Sequence, residues 1–330
     1  MNIDLSIILP VYDVEKYIHT CMECIFKQGL DENNFEVIIV NDGTKDNSIN
    51  VISDILERHS NITIINQENQ GISIARNNGF AIARGEYIIM LDSDDMLVDN
   101  SLKPLLDIAL NSKVDLIVAD FIQMSNEEIA KTRDFTSMQK PLPIEYQETT
   151  GQDLYINYLD FNNCAIWHIL FKREFLLSNK ITFLPQIWFE DLLYTPECYL
   201  RAKTCIKASW FLNIYRRRSD SISLGKFNKR KAESLCILIN RNWELKKLFN
   251  YSEQYVKLKK YLVQLINILL YSISHSSLNF KERTLLLCSI KQEIKNAYSL
   301  KMDKQLLKNI LIRTMPVFYT YIRNYLGKTW

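Results

Sequence analysis

The sequence predicts an α/β protein, a mostly parallel sheet with helices on both faces, followed by an all-helical region. Three observations carry that prediction. Short β-branched runs alternate with segments of helical period over the first third of the chain. Gly43, Gly71, Gly79 and Gly85, four of only 8 glycines, fall in that third, the first two just past strand ends. From Lys226 onward helical periodicity dominates, and no glycine follows Gly225 until Gly327. Alternating strands and helices mark a parallel sheet covered on both faces, and such sheets bind ligands beyond the carboxyl ends of their strands.

The runs LSIILPV from Leu5, FEVIIV from Phe35, ITIIN from Ile62, EYIIML from Glu86 and DLIVAD from Asp115 read as strands. Helical patterns begin at Val14, near Asp46, at Ser73 and at Ser101. The first, VEKYIHTCMECIF, sets Val14, Tyr17, Ile18, Cys21 and Ile25 on one apolar stripe. Cys21 of the lone CxxC is therefore expected in the core rather than on a metal. Between Ser125 and Gly151 the text turns polar, carries Pro141 and Pro143 and loses its period, which predicts a long surface excursion. Residues 152–224 mix short helices with two expected strands, CIKAS and FLNIYRR, on either side of Trp210. The expected organisation is a domain over 1–225, with halves 1–125 and 126–225, and a helical region over 226–330.

Composition narrows the function classes. The formal charge of +2 conceals an asymmetry: residues 1–225 carry 20 basic and 32 acidic side chains, and residues 226–330 carry 20 and 6. A basic region beside an acidic body implies an anionic partner for that region, such as a membrane surface or nucleic acid. Seven cysteines without regular spacing fit a reducing compartment better than a disulfide framework. The start, MNIDLSIILPV, lacks a basic leader and is interrupted by Pro10, so neither signal peptide nor anchor is expected and the chain is assigned to the cytoplasm. The uncharged run from Tyr261 contains Gln264, Asn267 and several serines, which favours a buried or surface-lying helix over a spanning one.

The chemistry centres on IIMLDSDD, an apolar strand that ends in Asp92, Asp94 and Asp95. If the chain stays extended through Ser93, the period of two puts Asp92 and Asp94 on one side. Two anions held together need a cation or a proton. Mg²⁺ or Mn²⁺ takes oxygen ligands and often needs only one or two carboxylates when phosphates supply the rest, which points to a phosphate-bearing ligand. Leu97 stands where an EF-hand loop requires glycine. Asp42 arrives at the same rim and suits a nucleobase imide or ribose hydroxyl, with a turn residue as the plain alternative; Asp13 reads mainly as a helix N-cap. Neither G-x-G-x-x-G after the first strand nor a P-loop is present.

The segments PVYDVEKYI, EVIIVNDGTKDNS, ENQGISIARNNGFAIARGEYIIMLDSDD and DLIVADF resemble, in order and spacing, the nucleotide-sugar half of family 2 glycosyltransferases with the GT-A fold. The block ITFLPQIWFEDLLYTPECYLRAK and the later NIYRRRSDSIS are similar to the acceptor half of bacterial, non-processive members. The resemblance implies that Asp42 contacts the base and that Pro10, Val11, Tyr12 and Arg76 help enclose the nucleotide. It implies that Asp92 and Ser93 lie near ribose and metal, that Asp94 ligates Mg²⁺ or Mn²⁺, and that Glu190-Asp191 is the ED pair whose aspartate is the general base. Arg216 or Arg218 is read over the diphosphate, with a solvated charge run as the alternative, and Trp167 and Trp188 as acceptor sugar platforms or core.

Three departures stand out. VNDG replaces the commoner VDDG, PVYD replaces PVYN, and Ile169 stands where many relatives carry lysine. The implied activity is inverting transfer of one sugar from a nucleotide sugar, a UDP-sugar by expectation, to a glycan or lipid-linked oligosaccharide in surface polysaccharide assembly. Nucleic acid is not an expected partner. The aromatic, basic end, MPVFYTYIRNYLGKTW, is read either as a peripheral contact with the inner leaflet or as a packing layer or homodimer contact. A sugar-phosphate nucleotidyltransferase and an inert nucleotide-sugar-binding module are the competing functions.

Overall fold

In a computed structural model, which describes residues 3–132, 134–218, 228–274 and 276–297, the chain forms two compact units. The first comprises residues 1–154, 165–186 and 201–222; the second comprises 155–164, 187–200 and 223–330. Two segments of the expected 1–225 domain thus group with the helices that follow it.

The first unit is built on one sheet. Strands β1 (Leu5–Val11), β2 (Phe35–Asn41), β3 (Ile62–Asn66) and β4 (Tyr87–Met90) pair in parallel in the order β3-β2-β1-β4. Period two divides their apolar residues between two faces. Leu5, Ile7, Leu9, Val11, Val37 and Ile39 face one core. Helices α1 (Ile18–Phe26), α2 (Ser53–Arg58) and α4 (Leu102–Ser112) supply Ile18, Cys21, Ile25, Ile55, Leu102 and Leu105 to that core. Burying each such side chain stabilises by roughly 1.5–3 kcal/mol relative to exposure. The opposite face of β1 and β2 receives α3 (Ile72–Ile82), where a Cβ on Gly79 would stand 2.5 Å from Ile8 Cγ2, so only glycine allows this approach.

Antiparallel pairing enters with the remaining strands, of which β5, β7 and β8 have weak sequence signals. β5 (Met96–Leu97), β6 (Leu116–Ser125), β7 (Tyr146–Thr149), β8 (Ile169–Lys172) and β9 (Cys205–Arg217) extend the sheet through β4-β8-β6-β9-β5, with β7 also on β9. Only β6 and β9 are parallel there, and their register slips between Val118 and Phe121. The two strands expected around Trp210 are one: Trp210 is buried within β9 and its indole N–H donates to Ser101 O at 2.9 Å. The surface excursion from Ser125 holds α5 (Asn126–Lys131), whose capping box, Ser125 with Glu128, is the S-x-x-E signature, as well as β7. A one-turn α6 (Gly151–Asp153) and α7 (Arg173–Ser178) also belong to this unit.

The second unit is helical. α8 (Asp191–Arg201) enters it, followed by α9 (Lys229–Glu244), α10 (Ser252–Ser274), α11 (Phe280–Ser289) and α12 (Lys291–Ala297). Buried polar contacts fix α8 to its neighbours. Tyr261 Oη donates to Leu192 O at 2.9 Å, Asn242 Nδ2 to the same carbonyl at 3.0 Å, and Thr195 Oγ1 to Cys164 O at 2.6 Å. Among the described residues no helix is long and apolar enough to cross a membrane. The segment MPVFYTYIRNYLGKTW lies outside the described residues.

Candidate active site

The acidic run forms a turn, not the extended strand that the period-two argument assumed. Asp95 N donates to Asp92 O at 3.0 Å, and the reversal brings oxygens of Asp92, Asp94 and Asp95 within 4.8 Å of one another. Ser93 Oγ, on the same turn, donates to Pro10 O at 2.8 Å and ties it to the end of β1. Asp95 was absent from the expected site, although it is the most deeply buried of the three, at 1% exposure.

Three arginines surround this turn. Arg76, buried on α3, reaches Asp92 Oδ1 at 2.5 Å. Arg218 Nη2 lies 2.5 Å from Asp94 Oδ2. Arg216 donates its backbone N–H to Asp95 Oδ1 and its Nε–H to Asp94 O, each at 2.8 Å. The Arg216 and Arg218 guanidiniums also lie over the Tyr17 ring, at 5.1 and 5.0 Å. The second Asp95 oxygen, Oδ2, is buried without a hydrogen-bond partner. Burial, and then the neighbouring Asp92 charge, push the Asp94 carboxyl up despite Arg218. Burial and the charges of Asp94 and Asp92 push Asp95 well above the usual carboxylate range. An all-oxygen donor set with an orphaned carboxylate oxygen suits a hard divalent cation, so these residues fit Mg²⁺ or Mn²⁺.

Asp42 is differently placed. It is 3% exposed, and its carboxylate accepts from Gln67 Nε2 at 2.7 Å, Gln70 N at 2.8 Å and Gly71 N at 2.9 Å. Those contacts hold the start of α3 and thereby position Arg76 one turn further on. Gly43 makes the turn beyond Asp42 with φ 70°, and a Cβ there would meet Asn69 N at 2.8 Å. Asn41, the departure from VDDG, uses both ends of its amide, donating to Asn66 Oδ1 at 2.9 Å and accepting from Thr44 N at 3.0 Å. Asp13 does not cap α1: at φ 52° it accepts from Lys45 N and Thr44 Oγ1. Val11 O accepts Asp42 N–H at 2.9 Å, and Tyr12 is 41% exposed.

The remaining expected residues divide between the units. Trp167 is 5% exposed and stacks on Tyr215 at 5.7 Å and 9°, inside an aromatic group with Phe121. Ile169 is buried at the start of β8. Glu190 and Asp191 belong to the second unit, where they open α8. Glu190 is buried and its carbonyl accepts from Tyr194 N at 3.1 Å; Asp191 Oδ1 accepts from Leu192 N at 3.0 Å. Trp188 lies beneath the Lys231 ammonium at 5.0 Å.

With this geometry in hand, the comparisons assign the class. The model of glycosyl transferase family 2 matches residues 6–173, and the chain belongs to that family. It is 30% identical over 227 residues to the uncharacterized glycosyltransferase EpsJ of Bacillus subtilis (strain 168), a match that covers 66% of this chain and 62% of that protein, less than two thirds of its length. Its fold is the GT-A fold. It superposes on Staphylococcus aureus TarS 1-349 in complex with UDP-GlcNAc with a TM-score of 0.70 at 17% identity, covering 98% of this chain and 88% of that one. The mannosyltransferase PcManGT of Pyrobaculum calidifontis, in complex with GDP-Man and Mn²⁺, superposes with a TM-score of 0.52 at 13% identity, covering 98% and 88%.

Proposed function

We propose that this chain is an inverting, metal-dependent glycosyltransferase that moves one sugar from a nucleotide sugar, a UDP-sugar, to a hydroxyl of a glycan or lipid-linked oligosaccharide in surface polysaccharide assembly. The observation that carries the reading is the convergence of Asp92, Asp94 and Asp95 oxygens at the carboxyl end of β4, with Asp95 Oδ2 buried and unpartnered. The UDP-GlcNAc named for TarS and the GDP-Man and Mn²⁺ named for PcManGT support a nucleotide-sugar donor with a metal. Asp94 and Asp92 would hold Mg²⁺ or Mn²⁺, which when bound neutralises charge on the departing diphosphate.

The chain's own residues do the rest. Arg216 and Arg218 pair with diphosphate oxygens, a role to which guanidinium forks are suited. Pro10, Val11 and Tyr12 flank the nucleotide, Ser93 fixes the turn, and Asp42 with Arg76 holds the base side of the pocket. Asp191 takes the proton of the acceptor hydroxyl as its oxygen attacks the anomeric carbon from the face opposite the leaving group, which inverts that centre. Glu190 supports Asp191. The working location is the cytoplasm, with peripheral contact at the membrane that carries a lipid-linked acceptor.

A panel of nucleotide sugars with Mn²⁺ or EDTA, read by thermal shift and by transfer, tests this reading. A Mn²⁺-dependent rise in Tm with one UDP-sugar is expected. Asp191→Asn should keep that rise and lose transfer by roughly 10²- to 10⁴-fold. Binding without metal-dependent turnover on any acceptor would instead mark an inert module.

A further inference from the structure

The corner between α9 and α10 exposes aromatic and aliphatic side chains that no described element covers. Tyr251 is 60% exposed, Val256 44% and Tyr255 38%. Trp243 and Phe249 are set edge-on to Tyr255, with ring centroids at 5.6 and 6.2 Å, and so anchor it to the helices. These rings border an open groove of about 660 Å³ lined by Lys246, Phe249, Tyr251, Tyr255, Val256 and Lys259, among others. Exposed apolar groups gathered in one place mark a surface that another body covers.

Charge and ring geometry identify that body. From Arg241 to Lys260 there are six basic side chains and two acidic ones, Glu244 and Glu253, and Glu244 is paired with Arg241 at 3.1 Å. Lys246 Nζ lies 4.3 Å from the Trp243 centroid and Lys259 Nζ 5.2 Å from that of Tyr255. An ammonium over a ring face blocks the stacking a sugar would use, while the ring edges and the lysine stems stay available. A layer that offers phosphates to the ammoniums and an apolar boundary to Tyr251 and Val256 matches both features.

We propose that the α9–α10 corner is a docking surface for a membrane containing anionic phospholipid. The proposal specifies the peripheral contact in the functional reading above, but it stands on the second unit alone. The test is co-sedimentation of the full chain with phosphatidylcholine vesicles with or without phosphatidylglycerol, at low and high salt. Binding to the anionic vesicles only, weakened by salt, is expected. The Lys246→Gln/Lys247→Gln/Lys259→Gln variant should lose on the order of 10- to 100-fold in affinity, and Tyr251→Ser a smaller amount.

Thermal shift with Mn²⁺ and UDP on the same samples reads the first unit separately. Variants that keep it while losing vesicles would confine the defect to this corner. Vesicle binding that is unchanged in the lysine variant overturns the proposal. So does wild-type protein that ignores anionic vesicles yet binds soluble polyphosphate.

Discussion

Asp42 at the end of β2 and Asp95 beyond β4 are both nearly inaccessible carboxylates, at 3% and 1% exposure, on one sheet rim. Their surroundings oppose each other. Asp42 is met by three N–H groups, so its burial is compensated and it serves to hold the start of α3. Asp95 has one backbone donor, two carboxylate neighbours and an oxygen without a partner. Burial alone therefore does not distinguish a carboxylate with its donors in place from one that is short of them. The balance between donors and like charges does, and at β4 it leaves room for a cation.

The sharpest way to break this contrast is Asp94→Asn. It should reduce transfer by about 10³-fold or more and abolish the Mn²⁺-dependent rise in Tm, while the far-ultraviolet circular dichroism stays unchanged. Retained Mn²⁺ response in this variant would mean that the rim is not the metal site.

The contrast was only partly legible in the sequence. An apolar run ending in acids located the β4 rim, but the assumption of an extended chain concealed Asp95, which reaches the cluster only because its N–H turns back to Asp92 O. No short-range pattern marks which donors will meet a carboxylate, so the hydrogen bonds that Asp42 accepts from Gln67, Gln70 and Gly71 were not legible in the sequence. Strands β1, β2 and β4 were readable because they are apolar and buried on both faces, and the edge strand β3 by its β-branched run ITIIN. β5, β7 and β8 are two to four residues long and owe their existence to partners distant in sequence. The S-x-x-E capping box at Ser125 is a local signal for α5 within a polar stretch that lacks an apolar period.

A second substitution tests the other half of the contrast. Asp42→Asn turns an acceptor toward donors into an amide that can satisfy only some of them. It should cost about 1–3 kcal/mol in urea unfolding while leaving the Mn²⁺ response in place. Loss of Mn²⁺ response without loss of stability would make Asp42 part of the functional cluster instead.

A smaller effect concerns pH. Asp94 and Asp95 have folded pKa values raised above their unfolded ones. Their contribution to stability is therefore fully present below the unfolded value, near 4, and is lost as pH rises through the raised values. In EDTA, Asp95→Asn should be more stable than wild type by a margin that widens with rising pH. In Mn²⁺ that advantage should vanish, because protons compete with the metal and the ion favours the deprotonated cluster. A margin independent of pH would show that these carboxyls do not titrate in the way their surroundings demand.

The central claim is that the Asp92–Asp94–Asp95 turn holds a divalent ion beside a nucleotide diphosphate. Anomalous scattering from crystals grown with Mn²⁺ and UDP measures this directly. The account predicts a manganese peak at bonding distance, roughly 2.0–2.6 Å, from an Asp94 oxygen, with the diphosphate beside it. A peak only at the exposed His19, Glu23 and Asp54 group, or UDP bound away from an ion-free turn, would contradict it.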